Sequence, residues 1–211
     1  MTYRWEIAQA MLRQGVVGIV RTPTAETAVA RARTLLDAGL LSVEVPLTNP
    51  GALRAIEQLV AEYPAATIGA GTVLDEASAV AAIRAGARFL VSPNLNPEVI
   101  RAASRYGAAS LPAAGSVTEI MHALEAGADA VKLFPGSALT PHWISDVRAA
   151  LPQAPLVPTG GISAEDVPEW LAAGAAACGV GSSLLTGTDG QIHARVGKLV
   201  TAAAAAIAGV A

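Results

Sequence analysis

One punctuation recurs along this chain and limits what it can fold into. An alanine-rich stretch of helical character ends in glycine, and a short apolar run follows at once. The segments LLDAGLLSVEVP, AIRAGARFLVSP, ALEAGADAVKLFP and WLAAGAAACGVGS carry it at Gly39, Gly86, Gly127 and Gly174, and ASRYGAASLP repeats it at Gly107. Glycine at such a point closes a helix in the left-handed conformation that side chains disfavour. Helix starts are equally regular. Thr24, Asp75, Asn96, Ser116 and Ser163 each precede a helical pattern and are suited to cap it. Pro50, Pro97 and Pro141 sit where a first helical turn tolerates proline.

The apolar runs cover residues 16–20, 40–45, 66–70, 88–92, 108–111, 129–134, 155–159 and 176–180. They are short and continuous, as strands covered on both faces are. Strands that alternate with helices demand a parallel sheet. Eight such units in 211 residues predict an α/β chain, a single-domain (β/α)8 TIM barrel over residues 1–211 with an N-terminal amphipathic helix. The competing arrangement is an open doubly wound sheet, but no G-x-G-x-x-G follows the first run.

Composition narrows the function classes. With 53% hydrophobic and 15% charged residues, the chain has the core material that disordered chains lack. A net charge of −3 with scattered Lys and Arg is not the footprint of a nucleic-acid binder. No charge-free apolar stretch of roughly 20 residues marks a membrane span. The N-terminal MTYRWEIAQAMLRQG has no apolar run with a cleavage site, so a cytoplasmic protein without a membrane partner is expected. Cys178 is the single cysteine, and no Cys/His cluster has zinc-like spacing, so neither a disulfide, a metal nor a cofactor is expected.

In a barrel of this kind, active-site groups gather at the carboxyl ends of the strands. The polar residues there are Arg21, Glu44, Thr72, Ser92, Lys132, Thr159 and Ser182. Lys132 interrupts the apolar run AVKLFP, where a charged ammonium is costly to keep. Burial lowers an amine's pKa, and the neutral amine is the nucleophile that attacks a ketone. The plainer alternatives are a structural ion pair or a side chain that snorkels to the rim. Glu44 interrupts SVEVP in the same way, as an acid/base partner or as half of a buried salt bridge. Two charges at strand ends favour chemistry over structure, because such residues are seldom fully buried.

The segments TGGIS (159–163) and GVGSS (179–183) follow the seventh and eighth runs. Their glycines, Gly160, Gly161 and Gly181, let backbone N–H groups approach an anion, and a short helix starting near Ser182 is expected to add its positive end. Such loops bind phosphate in many barrels, although glycines there also serve simply to turn the chain. Arg21 offers a bidentate donor to a carboxylate or phosphate, or else a rim salt bridge. His122, His142 and His193 fall in helical segments away from the strand ends, Trp5, Trp143 and Trp170 on helices, and Cys178 reads as a small buried hydrophobe.

Taken together, VEVPL (43–47), IGAGTVL (68–74), VSPNLNPEVI (91–100), EAGADAVKLFPGS (125–137), PTGGIS (158–163) and GVGSS (179–183) are familiar. The chain resembles the 2-keto-3-deoxy-6-phosphogluconate (KDPG) and 4-hydroxy-2-oxoglutarate (KHG) aldolase family, including its phosphogalactonate-cleaving relatives. The resemblance implies that Lys132 forms a Schiff base and that Glu44 is the general acid/base. It implies that Thr72, Pro93 and Phe134 shape a pyruvate pocket, and that Thr159, Gly160, Gly161 and Ser182 lie near the substrate and its phosphate. It also implies a homotrimer, a small 2-keto acid phosphate as substrate, and no metal. Some members carry an arginine shortly after the catalytic glutamate. Here that stretch reads Pro46-Leu47-Thr48-Asn49-Pro50, which leaves Arg21 to bind the anion. PLTNP is closer to the phosphogalactonate branch, while VSPNLNPEVI and KLFPGS are closer to the phosphogluconate and hydroxy-oxoglutarate branch. A phosphosugar isomerase or epimerase, or a binding protein without catalysis, would use the same phosphate loops without an imine.

Overall fold

The computed structural model describes residues 3–210. Met1, Thr2 and Ala211, at the ends of the expected 1–211 unit, lie outside the described residues. The chain is an α/β fold. Helix α1 (Arg4–Leu12) leads into β1 (Val16–Ile19), α2 (Ala25–Asp37), β2 (Ser42–Pro46), α3 (Ala52–Glu62), β3 (Thr67–Gly71) and α4 (Glu76–Arg84). Then come β4 (Phe89–Val91), α5 (Pro97–Tyr106), β5 (Ala109–Leu111), β6 (Ala113–Ala114), α6 (Val117–Glu125) and β7 (Val131–Leu133). A 3₁₀ turn (Gly136–Ala138), α7 (Pro141–Ala150), β8 (Leu156–Pro158), α8 (Val167–Ala172), β9 (Cys178–Val180) and α9 (Asp189–Val210) complete it.

The punctuation read from the sequence does its work here. Gly39, Gly86, Gly107, Gly127 and Gly174 all have φ between 78° and 99°, the region that favours glycine. Thr24, Asp75, Asn96 and Ser116 accept hydrogen bonds from the first-turn N–H groups of α2, α4, α5 and α6. Pro97 and Pro141 open α5 and α7. Two expectations fail. Ser163 caps a turn ahead of α8, exchanging bonds with Asp166, and Pro50 stands before Gly51, the N-cap of α3.

All the strand pairings are parallel, and the sheet curls in two hydrogen-bonded pieces, β5-β4-β3-β2-β1-β9 and β6-β7-β8. The fifth run, expected over 108–111, is β5, and a further short strand, β6, follows it beyond Pro112, which has no N–H to donate to a ladder. Its carbonyl still accepts from Lys132 N at 3.0 Å, so the chain passes from one neighbour to the next without losing contact. On the other side, a parallel bridge between Thr159 and Gly179 joins β8 to β9.

Side chains alternate across each strand. Val43, Val45, Ile68, Ala70, Leu90, Val131, Leu133 and Leu156 face outward into the layer shared with the helices. Val17, Phe89, Val91, Ala109, Leu111, Ala130, Val157 and Ala177 face inward and pack with Ile7, Ala8 and Met11 of α1. Helix α1 thus plugs the amino end of the curled sheet. Ser42 Oγ donates to Met11 O at 3.3 Å, and Arg4 Nε meets Asp129 Oδ1 at 3.2 Å beside Ser110, tying the plug down. Gly69 faces inward so that the Phe89 ring fills the space its side chain would take. Among the described residues no helix is long and apolar enough to cross a membrane.

A Cβ on Gly69 would overlap the Phe89 ring, whereas one on Gly197, exposed within α9, meets nothing. Gly69→Ala is expected to destabilise by about 1–3 kcal/mol through overpacking. Gly197→Ala is expected to stabilise by about 0.5–1 kcal/mol. Urea unfolding of both variants checks the opposite signs.

Candidate active site

Two residues beyond the plugged layer, each strand presents its next inward position at the carboxyl end. After Val17 comes Ile19, after Ser42 comes Glu44, after Gly69 comes Gly71, after Ala130 comes Lys132, and after Val157 comes Thr159. All of these but Gly71 line a cavity of about 600 Å³. It is lined by Arg21, Glu44, Thr72, Pro93, Lys132, Phe134 and Thr159, and by Gly160, Gly161, Gly181 and Ser182. All but one of the strand-end and loop residues singled out from the sequence therefore meet at one place. Ser92, also singled out at a strand end, is buried and does not line the cavity. A wider hollow of about 730 Å³ near the amino ends of β8 and β9 carries Arg13 and Arg148 at its edge but no buried ionisable group.

Lys132 is 7% exposed and Glu44 4% exposed. Burial pushes the Lys132 amine below the ordinary lysine range; the Glu44 carboxylate opposes that shift and the Arg21 guanidinium adds to it. Burial pushes the Glu44 carboxyl above the ordinary carboxylate range, against the pull of Lys132 and Arg21. Both groups move toward their neutral forms because solvent is scarce. Among the described residues they form no ion pair within 4.0 Å, so the amine is not tied up by its neighbour. Lys132 Nζ stands 4.7 Å from the centre of the Phe134 ring, which covers it on one side.

Small residues make room for the functional ones. A Cβ on Gly71 would overlap Glu44 Oε1, so only glycine leaves the carboxyl where it is. A Cβ on Gly179 would come within 2.5 Å of Thr159 Oγ1. The loops after β7 and β8 approach backbone to backbone. Gly136 N donates to Thr159 O at 2.7 Å, and a Cβ on Gly136 would press on the carbonyls of Thr159 and Gly160 at 3.0 Å. Gly160 and Gly161 have φ of 91° and 79°. Thr72 adopts φ of 55°, a costly conformation for a β-branched residue and one that clusters at functional sites.

The expected short helix near Ser182 is not formed. Residues 182–184 make a turn, with Leu184 N donating to Gly181 O at 3.0 Å and Leu185 N to Ser182 O at 3.1 Å, and the next helix starts only at Asp189. An anion there meets turn N–H groups and not a helix end. Arg195 of α9 braces this turn from behind, donating to Leu184 O at 2.9 Å and Thr186 O at 3.0 Å. Ile19, Ile162, Ser163, Gly179, Ser183 and Leu185 also line the cavity. Their inward period relative to Val17 and Ala177 was the available signal for Ile19 and Gly179. The three histidines lie on α6, α7 and α9, outside the cavity lining, and Cys178 faces the outer layer with its thiol pushed up by burial.

Known proteins are similar to this chain in sequence and fold. The family profile described as KDPG and KHG aldolase matches residues 7–199. The 2-dehydro-3-deoxy-6-phosphogalactonate aldolase of Escherichia coli K12 is 40% identical over 171 residues, covering 80% of this chain and 83% of that protein. A solved structure described as native KDPGal is 35% identical with a TM-score of 0.83, over 92% of this chain and 96% of that one. The KDPG aldolase of Legionella pneumophila, solved with pyruvate captured as a covalent carbinolamine intermediate, is 28% identical with a TM-score of 0.80, over 96% of this chain and 98% of that one. With the family profile spanning nearly its whole length, this chain belongs to the KDPG and KHG aldolase family.

Proposed function

We propose that the chain is a class I aldolase that cleaves 2-keto-3-deoxy-6-phosphogluconate, or its phosphogalactonate epimer, to pyruvate and glyceraldehyde 3-phosphate. The observation that carries this reading is a desolvated Lys132 amine, without an ion pair among the described residues, that shares one open cavity with a desolvated Glu44 carboxyl. A neutral amine attacks the substrate ketone to give a carbinolamine, and Glu44 in its acid form protonates the departing hydroxyl, so that loss of water leaves a protonated imine and a Glu44 carboxylate. The imine draws electrons from the adjacent carbon–carbon bond. Glu44 takes the hydroxyl proton as that bond breaks, releasing the aldehyde, and later returns a proton to the enamine carbon. Hydrolysis of the remaining imine releases pyruvate and restores the amine.

The cavity's other residues divide by the ends of the substrate. Thr72, Pro93, Phe134 and Thr159 line the pyruvate portion beside Lys132. Gly160, Gly161, Gly181 and Ser182 offer N–H groups and a hydroxyl to the phosphate, and Arg21 offers a guanidinium to an anionic end. We read the curled sheet as a closed (β/α)8 barrel forming one domain over residues 1–211. Closure rests on the Thr159–Gly179 bridge and on the Pro112 carbonyl that reaches Lys132. A cytoplasmic homotrimer without metal or cofactor completes the proposal.

Borohydride with pyruvate is expected to leave a reduced three-carbon adduct on Lys132, located by peptide mass spectrometry; an unmodified Lys132 under saturating pyruvate overturns the reading. Lys132→Ala should abolish cleavage, and Glu44→Gln should slow it on the order of 10² to 10⁴-fold, the usual worth of a general acid/base. Turnover of each six-carbon epimer by both variants, followed through pyruvate release, measures this.

The pH dependence has a definite sign. Because burial lowers the Lys132 pKa, adduct formation should rise with pH through a midpoint below the ordinary lysine range. The Glu44 carboxylate favours the ammonium, so Glu44→Gln should move that midpoint lower still. Cyanoborohydride trapping rates across pH report both midpoints. At the other end, Ser182→Asp sets a like charge against the phosphate and should raise KM for the phosphorylated substrate at least about tenfold, since a like-charge contact costs well over 1.4 kcal/mol.

A further inference from the structure

We infer that Asn49 is a positioning residue that holds Arg21 where its guanidinium receives the substrate's carboxylate. The inference rests on the aldolase reading and deepens it. Asn49 is 3% exposed, a rare degree of burial for an amide side chain. Its Nδ2 donates to Val20 O at 2.7 Å, and its Oδ1 accepts from Thr22 N at 3.2 Å. These two backbone groups belong to the residues on either side of Arg21. The amide therefore clasps the backbone around that arginine and makes no other side-chain hydrogen bond among the described residues.

Two further contacts come from the same turn. Thr48 Oγ1 accepts from Arg21 Nη1 at 3.4 Å, so the residue before Asn49 steadies the guanidinium while Asn49 steadies its backbone. The turn itself is closed by Asn49 N donating to Pro46 O at 2.9 Å, directly beyond the strand that carries Glu44. A displacement of Asn49 is thus transmitted to Arg21, which is otherwise exposed and has no other side-chain hydrogen bond among the described residues.

The carboxylate is the end of the substrate this arginine suits. Arg21 lines the same cavity as Lys132 and Glu44, and its charge acts on both. The phosphate has its own N–H donors in the loops after β8 and β9. In a 2-keto acid the carboxylate is bonded to the ketone carbon that Lys132 attacks, so a guanidinium serving the reacting end meets the carboxylate, bidentately in the best case. The segment Thr48-Asn49, which offers no cation of its own, serves by fixing one that comes from the neighbouring loop.

The test is pyruvate capture, because pyruvate has the carboxylate and lacks the phosphate. The concentration giving half-maximal borohydride trapping on Lys132 is measured for the full chain and for Asn49→Ala, Arg21→Ala and the double variant, with melting temperatures alongside. Asn49→Ala should raise it about tenfold while the trapping rate at saturation changes less than about twofold. Arg21→Ala should raise it at least as much, and the double variant should be no worse than Arg21→Ala alone. Thr48→Val, a mild exposed change, gives the same pattern at about two- to threefold and serves if Asn49→Ala does not fold. An Asn49 or Thr48 effect that persists undiminished without Arg21 overturns the proposal. So does normal capture by Arg21→Ala, which would give that arginine to the phosphate. No adduct in the unsubstituted chain overturns the aldolase reading and the proposal with it, whereas a normal adduct with additive effects defeats the proposal alone.

Discussion

Lys132 carries a long basic side chain into a place where solvent scarcely reaches, and much of its surroundings answers to that burial. Taking an ammonium out of water costs several kcal/mol even after the protein relaxes (about that order for real sites). The chain meets the cost by shifting the amine toward its neutral form and not by a tight salt bridge. A close ion pair with Glu44 would have held the proton on nitrogen and left no nucleophile. Burial shifts both groups toward their neutral forms, and the cavity they share leaves space for a reacting carbon.

That space depends on what is missing. Gly71 lacks the Cβ that would displace the Glu44 carboxyl, and Gly179 lacks the one that would displace Thr159. Gly136 lets two loops meet backbone to backbone at the mouth of the cavity, and Gly160 and Gly161 leave room there for Phe134 and Ser137. Lower down, the same inward alternation is filled with Phe89, Leu111 and the apolar face of α1. The curled sheet is thus solid at its amino end and hollow at its carboxyl end. One repeat of two residues along each strand separates packing from chemistry.

Strain and unusual burial collect in the same region. Thr72 holds a left-handed backbone, Asn49 is buried with only backbone partners, and two ionisable side chains face inward. Each breaks a local rule that the rest of the chain obeys, and each lines the cavity or braces a residue that does. Such conflicts are tolerated where surrounding structure over-determines them. Here that structure is the regular alternation of capped helices and parallel strands.

The sequence by itself determined the order of helices and strands, the left-handed glycines that separate them, and the inward direction of Lys132 and Glu44. Those features are local: a cap bonds two or three residues ahead, a glycine closes its own helix, and a strand alternates with period two. Only the tertiary structure decided what depends on distant partners. Beyond Pro112 the chain leaves β4 and pairs with β7, and Arg195 braces the turn at Ser182 from α9. The Asn49 clasp joins residues 27 and 29 apart, and the Arg4 bond to Asp129 spans the chain from α1 to the loop between α6 and β7. None of these has a periodic or short-range signature, since nothing in the neighbouring residues requires the partner that folding brings.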